Sequence, residues 1–288
     1  LASYPDLGCT GGPYEVSPQW GVFDDVLCVG NEDVYTFLEG VFTELLDIFP
    51  SPYIHVGGDE CTKHRWKECA KCQAKIKEMG LTGDDRHSAE SKLQSYCITR
   101  ISGFLNSKGR KVIGWDEILE GGAPQGATIM SWHGLNGGIE GARQGHDVIM
   151  TPNSHAYFDF YQTLNIANVP LAIGGHLPLE KVYSLEPMPE ELTEKQKKHV
   201  LGVQANMWTE YILSPAHVEY MLMPRIDALS EVQWTMPEKK DYSSFLGRLL
   251  HMVKLYNRLG YNYAKHFFDI KADLTTDNEK GILEAAFS

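Results

Sequence analysis

Long apolar runs are missing from this sequence: none approaches the roughly 20 residues that a bilayer-crossing helix needs, so nothing in it reads as a membrane span. Positive charge is scarce as well. With 26 Lys and Arg against 38 Asp and Glu the net charge is −12, which disfavours nucleic acid as a partner and suits a neutral or weakly charged substrate. Cysteine is sparse, and six in 288 residues exclude a small disulfide-built scaffold. The sequence starts Leu1-Ala2-Ser3, without methionine and in mid-pattern, so a targeting segment upstream is compatible with it. What is present is ordinary for a globular protein: 43% hydrophobic and 22% charged, with enough length for one large core or two modest ones.

The few cysteines leave two readings open. Cys9 and Cys28 flank a loop rich in Gly, Pro and aromatics, and a disulfide between them would close about 20 residues and be worth on the order of 3 kcal/mol. Cys61, His64, Cys69 and Cys72 offer four zinc-ligand types around a Cys-x2-Cys pair. The plainer reading is packing thiols, because Cys69-Ala-Lys-Cys72 falls in a helical pattern; no metal is expected.

Periodicity gives an alternation of helices and short strands. Asn31 is placed to cap a helix carried by Val34, Phe37, Leu38, Val41, Phe42, Leu45 and Leu46 and stopped by Pro50 and Pro52. Helices are predicted over 64–79 and 88–107, the second closed by Gly109. Strand, helix and strand then alternate, which argues for parallel pairing through crossover helices. Strands are predicted at 53–56, 111–117, 127–132, 147–151 and 200–205. The 40 residues after Asp159 form a long Pro- and Gly-bearing excursion, read as a lid or a subsite wall. Near the end, a helix from Pro215 to Val232 should kink at Pro224, and another runs from Tyr242 to Leu259. Residues 281–287 read as one strand with no partner in view.

Chemistry concentrates at the strand ends. Tyr53-Ile54-His55-Val56-Gly57-Gly58-Asp59-Glu60 runs from strand formers through two glycines into adjacent carboxylates. Neighbouring side chains on an extended strand point opposite ways, so Asp59 and Glu60 share a pocket only if the strand turns there, and glycine permits that turn. The other predicted strands end on Trp115 with Asp116, on Trp132, on Tyr157 with Asp159, and on Trp208 with Glu210. Aromatic walls with carboxylate acceptors suit a pyranose ring, which has an apolar face and a rim of hydroxyls.

The run His55-x-Gly57-Gly58-Asp59-Glu60 resembles the family 20 glycoside hydrolases, the β-N-acetylhexosaminidases, in which it ends the fourth strand of a (β/α)8 TIM barrel. Diguanylate cyclases carry a similar Gly-Gly-Asp-Glu-Phe, but Cys61 stands where that Phe would be, and a GTP and magnesium chemistry leaves the rest of the chain unused. The hexosaminidase resemblance extends from about Tyr4 to Phe268. It implies an α/β fold, an incomplete TIM-barrel catalytic domain of about five C-terminal βα units over 1–268, with 269–288 opening a C-terminal extension. The family's first three strands, its sugar-gripping arginine and the strand-three aspartate and histidine have no counterpart in the sequence, and neither does an aromatic of the seventh-strand loop at Ile173-Gly174-Gly175-His176. Exposed barrel edges would then favour self-association.

The resemblance also assigns roles. Glu60 is implied as the general acid/base and Asp59 as the carboxylate that orients the substrate's 2-acetamido group. Tyr157 is implied as the donor to the acetamido oxygen, and Trp115, Trp132 and Trp208 as the walls around the sugar. Asp159 and Glu210 would accept sugar hydroxyls, and His55 belongs to the same set. The implied reaction is retaining hydrolysis of terminal N-acetylhexosamines from glycans, by attack of the acetamide oxygen through an oxazolinium, without cofactor. Such an acid calls for Glu60 in an apolar setting with a raised pKa while Asp59 stays ionised. A periplasmic or secreted location is expected. The alternative is an inert carbohydrate-binding piece of such an enzyme.

Overall fold

Short runs rich in Val and Ile form the parallel strands in this computed structural model, which describes residues 1–269 and the backbone strands Ala272–Asp277 and Ile282–Phe287. Five strands pair in sequence order: β1 (Tyr53–His55), β2 (Lys111–Trp115), β3 (Thr128–Ser131), β4 (Val148–Met150) and β5 (Val200–Val203). Every pairing is parallel, with Ile54 opposite Val112, Gly114 opposite Ile129, Met130 opposite Ile149 and Met150 opposite Val203. Strands linked this way need crossover segments, and their C-terminal ends share one edge of the sheet. The α/β alternation expected from the sequence is present.

The described chain divides into two compact units, Leu1–Asn153 with Pro187–Gln204, and Ser154–Glu186 with Ala205–Ser288. The first holds the whole parallel sheet. Its helices include α1 (Glu32–Ile48), α2 (His64–Glu68), α3 (Ala70–Glu78), α4 (Ala89–Ser107) and α5 (Asn136–Gln144). Asn31 caps α1 by accepting the Asp33 N–H, as expected, and Ser88 caps α4 by accepting that of Ser91. Ile129, Val148 and Met150 are fully buried against Ile118, Ile139 and Ala142. Each such side chain contributes roughly 1.5–3 kcal/mol by leaving water.

Four helices follow: α6 (Asn153–Ala156), α7 (Leu179–Tyr183), α8 (Glu194–Lys197) and, after the sheet, α9 (Pro215–Leu222). The second unit adds α10 (Arg225–Trp234), α11 (Tyr242–Leu259) and an antiparallel pair, β6 (Ala272–Asp277) with β7 (Ile282–Phe287). Tyr183 of α7 stacks on Phe245 of α11 at 5.0 Å. Arg225 is fully buried, and its guanidinium donates to the carbonyls of Phe158, Phe160, Leu177 and Met221. Among the described residues no helix is long and apolar enough to cross a membrane.

Several expectations change. Residues 64–79 form two helices, because Cys69 is extended (φ −80°, ψ 116°) and ends α2 as it starts α3. Pro224 separates α9 from α10 instead of kinking one helix, since it offers no N–H to the turn before it. β2 stops at Trp115, and Asp116–Leu119 turn into a 3-10 helix. The 281–287 strand has a partner, β6, whose polar, Thr-rich sequence hid it. The excursion after Asp159 carries α7 and α8. Cys9 and Cys28 are not bridged; all six cysteines are free thiols.

Candidate active site

The expected site residues fall into two groups, one in each unit. In the first, β1 delivers the chain to Gly57 and Gly58, both at positive φ (72° and 98°), and Glu60 is itself left-handed at 52°. A side chain at Gly58 would put its Cβ 2.4 Å from Ile118 Cγ2, so only glycine fits between the turn and the core there. Backbone and side-chain hydrogen bonds together pin the turn. The Trp115 N–H donates to the Gly57 carbonyl (3.0 Å), the Gln94 side chain donates to the Gly58 carbonyl (2.6 Å), and the Gly57 N–H donates to His55 Nδ1 (3.0 Å). A non-glycine residue held at positive φ stores about 1–3 kcal/mol of strain, a feature that clusters at functional sites.

Around this turn the structure brings His55 and Trp115 together, with ring centroids 4.8 Å apart. Surrounding protein pushes the His55 pKa down while the nearby Asp59 charge pulls it back. Asp59 also lines a cavity of about 410 Å3 with Gly58, Cys61, Trp66, Gln94 and Cys97. Glu60 is exposed, contrary to the apolar setting expected for it. The turn carries its side chain away from the core that buries Ile54 and Ile118.

Glu117 links the first group and was not among the residues singled out from sequence. Its Oε2 accepts the Trp132 indole N–H (3.0 Å), and its Oε1 accepts the Glu60 backbone N–H (3.4 Å). Next to it, Asp116 is buried and holds His133 through Oδ1 and Nδ1 at 2.9 Å. Burial first, and then Asp116, push the Glu117 pKa up to about 7 against the pull of the Trp132 N–H. Asp116, Glu117 and His133 line a cleft of about 660 Å3 together with Arg86, Lys92 and Glu120, a volume in the range of small-ligand sites. The signal available in the sequence was the second acid after Trp115, but nothing local says that it reaches Trp132.

In the second unit, a parallel bridge between Tyr157 and Asn206 sets the spacing of the other group. Tyr157 is buried, its ring edge-on to Trp208 at 6.4 Å. Asp159 is buried and its pKa is raised to about 6, by burial first and by the Glu210 charge, while Arg225 and the Trp208 N–H oppose the shift. Its Oδ1 has no hydrogen-bond partner. A buried carboxylate oxygen left so costs about 1–3 kcal/mol, which a hydroxyl from a ligand would recover. Trp208 and Glu210 are exposed. Arg225, which fixes the carbonyls on either side of Asp159, also escaped the sequence reading.

Comparison with known proteins gives consistent similarities. Residues 1–237 match the profile of glycosyl hydrolase family 20, catalytic domain. A beta-hexosaminidase of Porphyromonas gingivalis is 44% identical over 266 residues, covering 91% of this chain and 33% of that protein. A beta-hexosaminidase of Vibrio furnissii is 32% identical, covering 72% of this chain and 33% of its own length. Among solved structures, the GH20 exo beta-N-acetylglucosaminidase of Vibrio harveyi in complex with N-acetylglucosamine is 31% identical with a TM-score of 0.74, over 84% of this chain and 37% of that one. The chain thus spans about a third of the length of these relatives.

Proposed function

The chain belongs to glycosyl hydrolase family 20, and on that premise we propose that it carries the acid/base centre of an exo-β-N-acetylhexosaminidase acting on terminal, non-reducing β-linked GlcNAc or GalNAc. The observation that carries the reading is the Asp59-Glu60 pair on a strained glycine turn past the C-terminal end of β1, in a parallel sheet whose next strand ends on Trp115. Strand C-termini are where barrel enzymes of this kind place their chemistry. We further propose that residues 1–268 belong to the catalytic domain and 269–288 to an extension or linker, and that the protein acts in the periplasm or outside the cell.

In this mechanism the substrate's acetamide oxygen attacks the anomeric carbon while Glu60 gives its proton to the departing glycosidic oxygen. Asp59 orients the acetamide and stabilises the positive charge of the oxazolinium that forms. Glu60, now a base, then takes a proton from water as its oxygen adds to the anomeric carbon, and the oxazolinium opens with retention. A second carboxylate about 5 Å across the ring is not needed, which is why adjacent acids suffice. Trp115, Trp132 and Trp208 wall the sugar and Tyr157 donates to the acetamide oxygen. His55 supports the turn, while Asp159, with its unpartnered buried Oδ1, and Glu210 accept outer hydroxyls.

A second reading, sugar binding without turnover, is favoured by the exposure of Glu60. Release of nitrophenol from a β-N-acetylglucosaminide, read beside calorimetric binding of N-acetylglucosamine, separates the two. Turnover that falls about 10²–10⁴-fold in Glu60→Gln supports the enzyme. Binding with no turnover supports the second reading, and neither binding nor turnover overturns both.

A further inference from the structure

Outside the candidate active site, four of the six cysteines that the sequence scatters over 63 positions meet at one point. The sulfurs of Cys9, Cys28, Cys69 and Cys72 all lie within 4.8 Å of one another. The separations are 3.5 Å for Cys28 to Cys69, 3.7 Å for Cys28 to Cys72 and 3.9 Å for Cys9 to Cys72. A disulfide needs about 2.0 Å. A tetrahedron of thiolates at the usual zinc–sulfur length of about 2.3 Å has edges of about 3.8 Å, close to each of these values.

We propose that Cys9, Cys28, Cys69 and Cys72 are a structural zinc site, a tetrathiolate that fastens the N-terminal loop to α3. Zn2+ takes the place of the thiol protons, which pass to solvent, and the four sulfurs complete its tetrahedron with no position open for catalysis. No oxidant is consumed.

The surroundings are those of a built metal site. The antiparallel bridge of Gly8 to Leu27, with the Cys28 N–H donating to the Leu7 carbonyl (2.8 Å), brings Cys9 beside Cys28. Cys69 starts α3 and Cys72 sits in its first turn, so the Cys-x2-Cys pair presents both sulfurs from one helix end, whose dipole favours negative charge. The Gly30 N–H bonds to the sulfurs of both Cys28 and Cys72, the kind of outer contact that orients thiolate ligands. Gly30 is required there, because a Cβ would lie 2.4 Å from the Lys71 carbonyl and 2.5 Å from the Cys72 nitrogen. Cys28 and Cys72 are fully buried and Cys69 nearly so, packed with Val29, Trp66, Ile76 and Leu93. Four thiols in such a core have mainly one another as partners, whereas a shared cation gives each sulfur a strong bond.

This set differs from the one a sequence pattern offers. His64 instead pairs its Nδ1 with Asp24 (2.8 Å), and Cys61 packs at the margin of the cluster. Since Cys61 directly follows Glu60, the site braces the segment that carries the proposed acid. The inference itself stands on the sulfur geometry and not on the enzymatic reading.

Elemental analysis and zinc K-edge absorption on the full chain, purified under reducing conditions with zinc present, test it. The expected result is one zinc per chain with four sulfur neighbours at about 2.3 Å. Cys28→Ser and Cys72→Ser should lose the zinc, while Cys61→Ser and Cys97→Ser keep it. Should the Cys28 and Cys72 variants fail to fold, the absorption spectrum of the unaltered chain, with the charge-transfer bands of its cobalt-exchanged form, decides alone. A metal-free chain, zinc with nitrogen or oxygen neighbours, iron in its place, or disulfides among these four cysteines in non-reduced peptide maps of chain prepared without reductant would overturn the proposal.

Discussion

Glu117 holds a titration that stability should report. Its carboxyl sits at about 7 in the fold against an ordinary value of 4.5. Between those values the unfolded chain releases a proton that the folded chain keeps, so stability falls as pH rises from about 4.5 through about 7 and is level above that. The full shift corresponds to about 3 kcal/mol, and water at its partly exposed edge reduces this to about 1–2 kcal/mol. Glu117→Gln stays neutral and keeps an acceptor for the Trp132 indole. The advantage of this variant over the unaltered chain should therefore grow by that amount between about pH 5 and pH 7.5, read from denaturant midpoints. Parallel curves would mean that the carboxyl is hydrated as an ordinary surface acid.

The turn after β1 depends on Gly58, where both φ (98°) and the 2.4 Å approach to Ile118 oppose any side chain. Gly58→Ala is expected to cost about 1–3 kcal/mol. Ile118→Ala made in the same chain removes the steric part, so a double-mutant cycle should show a coupling above about 0.5 kcal/mol; zero coupling would leave backbone conformation as the whole cost. In the other unit, Arg225→Met strips the donors from the carbonyls of Phe158, Phe160, Leu177 and Met221 and should cost about 3–5 kcal/mol in urea unfolding. These elements also mark what the sequence could reveal. The strands and the Asp59-Glu60 turn were legible because short Val and Ile runs stop abruptly, at Gly after β1 and at Trp at the ends of β2 and β3, a local pattern. The break at Cys69 was not, since apolar spacing continues across it at helical period. Glu117, Arg225 and the four cysteines were hidden for another reason. Apart from Met221, four positions before Arg225, and the Cys69–Cys72 neighbours, their partners lie 15 to 67 positions away, and an acid after a tryptophan or an arginine in a helix looks the same whether solvated or buried.

Within the first unit, β1 and β5 close the two sides of the parallel sheet, each pairing with one strand neighbour among the described residues. Leu201 on β5 is 53% exposed, and the loop before Asp24 exposes Val16, Trp20, Val22 and Phe23. Edges and apolar side chains of this kind favour pairing with a second copy. Opposing it is the net charge of −12, which makes two copies repel over roughly a Debye length, about 10 Å at 0.1 M salt and about 3 Å at 1 M. Self-association should therefore strengthen as salt is added, the reverse of an interface held by opposite charges. Sedimentation velocity at rising salt and fixed concentration should show the average mass climbing from that of one chain toward that of two. Leu201→Lys, which adds a cation to the β5 edge, should suppress the climb. A single-chain mass at every salt concentration would show that the edges are protected without a partner, and a mass that falls with salt would assign association to charge instead of to apolar edges.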